Sequence, residues 1–135
     1  MTDYYQLSPE VWAYLGDAVF ELLVRKHFVL NCACKAGELH KRTTAVVNAE
    51  AQARMVRRLQ PYLTDSEWEI VKKGRNISVR HGPRSSSVHE YRYSTGLEAL
   101  FGLLFLKGDL VRAAELLDLG LRGNESDGCT DIDDD

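Results

Sequence analysis

The chain has 135 residues, of which 44% are hydrophobic and 27% are charged, a balance typical of one globular domain. This composition excludes a collagen-like, disulfide-framework or wholly disordered chain. Six of the 20 acidic residues lie in residues 124–135, which carry no base, so the rest of the chain is mildly basic, with 17 basic and 14 acidic residues. We predict one folded domain over residues 1–123 and a disordered acidic tail over residues 124–135.

The three cysteines do not form a disulfide framework, because their number is odd and Cys129 lies in the predicted tail. Cys32 and Cys34 are separated by a single residue, which is too close for an ordinary disulfide. We therefore predict reduced thiols in a cytoplasmic protein. No apolar run approaches the roughly 20 residues that a membrane span needs, so no membrane association is expected.

Two helices are predicted in the first half of the chain. Ser8 and Pro9 are typical of an N-cap and a first-turn proline, and they start an amphipathic helix that ends near Asn31. A second helix is predicted from about Glu38 to Leu59. The predicted buried side of the first helix is centred on Val11, Leu15, Ala18, Leu22 and the stem of Lys26, with Trp12, Val19 and Leu23 beside them.

The third predicted helix begins with a capping box, in which Thr64 caps the helix and Glu67 reaches back to it. It ends near Gly74, and residues 75–90 then form a basic connection that contains glycine, proline and serine. Such a connection is expected to be a long loop.

Two more helices complete the prediction, one from Ser94 or Thr95 to Lys107 and one that begins with Asp109 as its cap and ends at residues 120–123. No alternating strand pattern of useful length is present. The predicted fold class is therefore all-α, a compact helical domain.

Two carboxylates stand out because they interrupt apolar helices. Gly16 precedes Asp17 in mid-helix, where glycine costs about 1 kcal/mol relative to alanine, so a close approach of another helix is expected. Glu98 is the only ionisable group in an apolar helix, and a buried carboxylate must be paired, protonated or bound to a metal. A salt bridge from Glu98 to Arg92 or Arg25 is one interpretation. A site for a hard cation such as Mg²⁺ is the other.

At these residues the chain resembles the ribonuclease III family, and closely its Mini-ribonuclease III subgroup, which has a catalytic domain without a double-stranded-RNA-binding domain. Residues 14–21, Tyr-Leu-Gly-Asp-Ala-Val-Phe-Glu, are similar to the family's signature helix. Residues 39–53, 74–76 and 91–102 are similar to hallmarks of the subgroup, in the right order. The resemblance covers roughly residues 7–120.

The resemblance implies that Asp17 and Glu98 are the catalytic, metal-holding acids. Full-length ribonuclease III enzymes carry two further carboxylates in the site, and the matching positions here are Ala13 and Thr95. The implied fold is the ribonuclease III-type helical endonuclease domain, which works as a homodimer. We expect the signature helix to contribute to the dimer interface.

The implied activity is Mg²⁺-dependent endonucleolytic cleavage of double-stranded RNA, with Mn²⁺ as a substitute metal. Metal-activated water attacks the phosphodiester and leaves 5′-phosphate and 3′-hydroxyl ends. The implied substrate is the ends of precursor 23S ribosomal RNA, with ribosomal proteins on that substrate as further partners.

A protein without a dedicated RNA-binding domain must hold the phosphates of an A-form duplex by itself. The basic residues between positions 72 and 92 are the best candidates, although a solvated basic loop is the other interpretation. The predicted RNA-binding residues are Lys72, Lys73, Arg75, Asn76, Arg80 and Arg84.

Two alternatives to a nuclease stay open. A catalytically inactive, dimeric RNA-binding or ribosome-assembly module could keep the same fold, but it need not keep both Asp17 and Glu98. A plain helical interaction protein would leave the mid-helix Gly16-Asp17 pair and the lone Glu98 unexplained. The nuclease is therefore the favoured prediction.

Overall fold

The protein is an assembly of helices in this computed structural model, which describes residues 3–77 and 87–122. No strand is present in these two ranges, so the all-α prediction is confirmed. The predicted tail over residues 124–135 lies outside the described residues. The helices are α1 (Pro9–Asn31), α2 (Ala36–Val46), α3 (Ala49–Leu59), α4 (Asp65–Arg75), α5 (Val88–Leu106) and α6 (Leu110–Arg122), with short 3-10 turns at Tyr4–Gln6 and Gln60–Tyr62.

Side-chain caps begin several of these helices as the sequence predicts. The Ser8 hydroxyl accepts a hydrogen bond from the backbone N–H of Val11 and starts α1. At the start of α4, the Thr64 hydroxyl accepts from the N–H of Glu67, and the Glu67 carboxylate accepts from the N–H of Thr64. Both orphan donors of the α4 terminus are thus satisfied by the predicted capping box.

The buried face of α1 is shifted by about one residue from the centre of the predicted one. The structure buries Trp12 and Val19, which the prediction places beside that centre, together with Gly16 and Phe20. Leu22, which was predicted to be buried, is 64% exposed. Helix α1 is apolar on two sides, and only one of them packs against the rest of the domain.

Two predicted helix boundaries are also wrong. The single helix predicted over residues 38–59 is two helices, because Asn48 adopts an extended conformation and its side chain accepts a hydrogen bond from the N–H of Ala51 at the start of α3. Helix α5 begins at Val88 rather than at residue 94 or 95, because Ser87 and Glu90 form a second capping box. The predicted connection over residues 75–90 is correspondingly shorter.

Helix α5 lies at the centre of the domain. It packs against α1, α3, α4 and α6, and residues 99–104 are buried without interruption, so this part of the helix has no solvent-facing side.

Among the described helices, none is long and apolar enough to cross a membrane.

Candidate active site

Two glycines let the backbones of α1 and α5 touch. A Cβ atom on Gly16 would overlap the carbonyl oxygen of Glu98, and a Cβ on Gly102 would overlap the carbonyl oxygen of Trp12. Any side chain at either position would therefore separate the two helices. Because Asp17 follows Gly16 directly, this contact brings its carboxylate beside that of Glu98.

A second glycine contact fixes α4 against the other side of α5. A Cβ on Gly96 would lie 2.5 Å from the carbonyl oxygen of Val71, and a Cβ on Gly74 would lie 2.8 Å from the Cα of Gly96. The sequence placed Gly74 at the end of the third helix and in a subgroup hallmark, and the structure gives it a packing role. The basic last turn of α4 is held near the first turns of α5 as a result.

The carboxyl groups of Asp17 and Glu98 interact directly. Burial first, and then the negative charge of Asp17, raise the pKa of Glu98 to about 7, while a hydrogen bond from Gln52 acts in the opposite direction. Two carboxyl groups this close form an electronegative pair that favours a bound cation. Asp17 itself is exposed.

The salt-bridge interpretation of Glu98 is wrong for the described residues. Arg25 pairs instead with Glu21, one turn away on α1, with an Nη2 to Oε2 distance of 2.5 Å. Arg92 forms no ion pair with Glu98 in the described part of the chain. The half-buried Glu98 is therefore held by a neutral amide and faces another acid.

The acid pair opens into a groove of about 870 Å³ between α1 and α5. Its donor set fits a hard divalent cation, because both acids offer carboxylate oxygens and neither has a cationic partner among the described residues. No third His, Cys, Asp or Glu joins the pair in residues 3–77 and 87–122. The groove is lined by Ala13, Tyr14, Leu15, Asp17, Ala18, Glu21, Leu22, Arg25, Tyr91, Thr95 and Glu98.

The positions matched to further family carboxylates, Ala13 and Thr95, do line this groove. The Thr95 hydroxyl donates to the carbonyl oxygen of Tyr91 at 3.0 Å and so belongs to the hydrogen bonding of α5. Any further ligands of a cation would come from water or substrate oxygens, which is common for Mg²⁺.

Sequence reasoning missed Gln52, which contacts the acid pair from α3. Its Nε2 donates to the Glu98 Oε2 at 3.3 Å, although the two residues are 46 positions apart in the chain. Gln52 is only 3% exposed, and all the other buried side chains of α3 are apolar. A buried amide is costly unless it is hydrogen-bonded, so the burial of Gln52 points to a specific partner. Only the structure shows this burial.

The described members of the predicted RNA-binding set lie together at the end of α4. Lys72 is paired with Glu69 at 2.8 Å, whereas Lys73 is exposed. Arg75 donates to the Asn76 Oδ1 at 3.0 Å and to the Tyr93 hydroxyl at 3.2 Å.

Arg75 and Asn76 also line a polar groove of about 380 Å³ where α4 ends and α5 begins. His89 and Arg92 from the first turns of α5 line the same groove. Two further predicted RNA-binding residues, Arg80 and Arg84, lie outside the described residues. Two of the four described members therefore line one groove, Lys72 and Lys73 lie in the same last turns of α4, and the role of all six stays a prediction.

Cys32 and Cys34 lie side by side in the turn between α1 and α2, with their Cα atoms 5.2 Å apart. Cys32 adopts an extended conformation with φ of −139°. The reduced state of the two thiols stays a prediction, because proximity alone does not set their oxidation state.

Comparison with known proteins assigns this geometry to a family. The model of the Ribonuclease III domain matches residues 10–109. The Mini-ribonuclease 3 of Thermoanaerobacter sp. is 40% identical over 116 residues, which cover 86% of this chain and 82% of that protein. The Mini-ribonuclease 3 of Synechocystis sp. is 44% identical over 113 residues, which cover 84% of this chain and 77% of that protein.

A solved structure supports the same fold. The crystal structure of a protein from Fusobacterium nucleatum superposes with a TM-score of 0.78 at 30% identity and covers 91% of this chain and 98% of that one. The resemblance drawn from the sequence motifs is thereby confirmed.

Proposed function

Since this chain belongs to the ribonuclease III family, we propose that its active site is the carboxylate pair of Asp17 and Glu98 in the groove between α1 and α5. The family makes the protein an endoribonuclease of the ribonuclease III type, which acts on double-stranded RNA. One observation carries the assignment of the residues: two helices bring two acids into direct contact, without a cationic partner among the described residues.

Asp17 and Glu98 would hold Mg²⁺, or Mn²⁺ in its place, because such ions take carboxylate and water oxygens. Such an ion would supply charge stabilisation at the phosphate and an activated water, and the expected products carry 5′-phosphate and 3′-hydroxyl ends. The half-buried Glu98 would supply an oxygen held in place by Gln52, whereas Asp17 is exposed at the groove.

The proposed natural substrate is the ends of precursor 23S ribosomal RNA in the cytoplasm, with ribosomal proteins present on that RNA. Lys72, Lys73, Arg75 and Asn76 would contact its phosphates, together with the predicted Arg80 and Arg84. The position of these residues supports the proposed contact, because the first turns of α5 line both the polar groove and the acid groove. We propose residues 1–123 as the catalytic domain and residues 124–135 as an acidic tail.

A homodimer completes the proposal, and its support is the second apolar side of α1. Tyr14 is 84% exposed and Leu22 is 64% exposed, and both lie at the mouth of the acid groove. Burial of large apolar side chains by a second copy would gain about 1.5–3 kcal/mol for each one that becomes fully buried. A monomer in sedimentation at micromolar concentration would refute the dimer.

Cleavage of a structured duplex RNA in Mg²⁺ tests the site assignment. We expect Asp17→Asn and Glu98→Gln each to lower the cleavage rate by about 10³-fold, because loss of a metal ligand removes several kcal/mol of transition-state stabilisation. Glu50→Gln is the matched control, since Glu50 is an exposed acid on α3 away from the groove, and it should cleave at the wild-type rate.

The inactive RNA-binding module is the alternative that the same experiment separates. If the wild-type protein binds the duplex but does not cleave it at any Mg²⁺ concentration, the module is the correct description. If the wild-type protein and Asp17→Asn cleave equally, Asp17 has no part in the mechanism.

A further inference from the structure

Gln52 occupies an unusual position for a glutamine. It lies in the first turns of α3, where the Asn48 cap sets the start of the helix, and it is 3% exposed. Its neighbours Ala51 and Ala53 are buried as well, so the helix faces the protein interior here. A buried amide in such surroundings needs a specific partner to offset its lost hydration.

That partner is one oxygen of Glu98. The Gln52 Nε2 donates to the Glu98 Oε2 at 3.3 Å, across the packing contact between α3 and α5. Glu98 lines the acid groove and Gln52 does not. Gln52 therefore reaches the groove only through the carboxylate that it holds.

The chemistry of an amide suits this position. A lysine or arginine here would neutralise Glu98 and compete with a metal ion for its charge. An acid would add a third negative charge to a pair that already repels. A neutral donor holds one carboxylate oxygen and leaves the second oxygen and the charge for the cation, which is how orienting partners act on metal ligands.

We propose that Gln52 is a positioning residue of the nuclease: its amide fixes the orientation of the Glu98 carboxylate for metal binding. This inference rests on the proposed function. It assigns a role to a buried residue of α3 that the sequence analysis did not single out. Loss of such an orienting hydrogen bond typically lowers metal affinity or activity by 10–100-fold, so we expect a decrease of about 10-fold or more.

Titration of the RNA-free protein with Mn²⁺, followed by electron paramagnetic resonance, measures metal affinity without catalysis. Gln52→Met keeps the length and volume of the side chain and removes the donor, and it should bind Mn²⁺ at least about 10-fold more weakly than wild type. Gln52→Asn keeps an amide that is too short to reach Glu98 and should also bind more weakly. Thr43→Val is the matched control, because it removes a buried hydroxyl from α2, which does not line the acid groove.

The outcomes separate the two proposals. Weaker Mn²⁺ binding by both Gln52 variants, with wild-type affinity in Thr43→Val, supports the positioning role, and recovery of RNA cleavage at high Mg²⁺ would support it further. Wild-type Mn²⁺ affinity in either folded Gln52 variant would overturn it while leaving the nuclease intact. A wild-type protein that binds no Mn²⁺ at millimolar concentration would overturn both.

Discussion

Gly16 decides at the residue scale whether the two acids meet. The sequence indicated a close helix contact there, because glycine is unfavourable in mid-helix. It did not indicate that the contacting group is the backbone of Glu98, since that requires knowing which helices cross. The structure shows that two features noted separately in the sequence, Gly16 and the lone acid Glu98 of α5, are in contact.

Gly16→Ala tests this contact. The added methyl group overlaps backbone, which cannot move aside as a flexible side chain does, so we expect a loss of about 3 kcal/mol in the free energy of unfolding. Urea denaturation measures it. Gly37→Ala is the control, because a Cβ there meets nothing within 4 Å, and it should stabilise α2 by about 0.5–1 kcal/mol. Equal stability of the two variants would contradict the tight crossing of α1 and α5.

The role of Gln52 was beyond prediction at this scale. Helical spacing places position 52 on the same side as Ala49 and Val56, but the sequence does not show which group the amide meets. Only the packing of α3 against α5 shows that this amide is buried and that its partner is an acid.

At the scale of helices, the errors in prediction have identifiable causes. The centre of the buried face of α1 was predicted about one residue away from its place because apolar residues occupy two sides of the helix. Periodicity does not distinguish the side that contacts the domain core from a side exposed in one chain. The early start of α5 was readable from Ser87 and Glu90, which have capping-box spacing. The basic composition of the preceding residues favoured a loop instead.

One ion pair joins the start of α4 to α6. The Arg112 guanidinium donates to both oxygens of Glu67 at 2.8 Å and to the carbonyl oxygen of Tyr62 at 2.9 Å. Hydrogen bonds from Arg112 hold the pKa of Glu67 below its ordinary value of 4.5, in spite of partial burial. Glu67 thus serves both the capping box and the contact between two helices.

Glu67→Gln tests that contact and its pH dependence. Glutamine keeps the capping box but loses the charge, so we expect a loss of about 2 kcal/mol in the free energy of unfolding at pH 7. The pKa of Glu67 is lowered in the folded state. The extra stability of the wild type over Glu67→Gln is therefore fully present above pH 4.5 and is lost as the pH falls through the folded-state pKa. Denaturation series from pH 7 to pH 3 measure it.

The control for this pair is Glu115→Gln. Glu115 also pairs with Arg112, but its side chain is 56% exposed, and exposed ion pairs contribute about 0–1 kcal/mol. If Glu67→Gln were no less stable than Glu115→Gln at pH 7, the proposed link between α4 and α6 would be wrong.

At the scale of the whole molecule, the sequence predicted the fold class and the family correctly. Helical periodicity and caps identify helices, and the ordered motifs identify the family. The assembly of those helices could not be derived in the same way, because the glycine contacts on both sides of α5 depend on residues distant in the chain.

If the basic residues at the end of α4 bind duplex RNA, the affinity for RNA should depend strongly on salt concentration. Each phosphate contact adds nearly one unit to the slope of log affinity against log salt concentration. Lys73→Gln should reduce this slope by about one, measured by fluorescence anisotropy in the absence of Mg²⁺. Lys107→Gln, at the opposite end of α5 from the polar groove, should leave it unchanged. Equal slopes for all three proteins would exclude Lys73 from the RNA surface.

The central claim is that Asp17 and Glu98 share one divalent cation. Anomalous diffraction from crystals soaked in Mn²⁺ tests it directly, with Asp17→Asn crystals as the comparison. We predict a manganese peak about 2.1 Å from a carboxylate oxygen of each residue in the wild-type protein and no such peak in the variant. Wild-type crystals that bind manganese elsewhere but not between these two side chains would contradict the account.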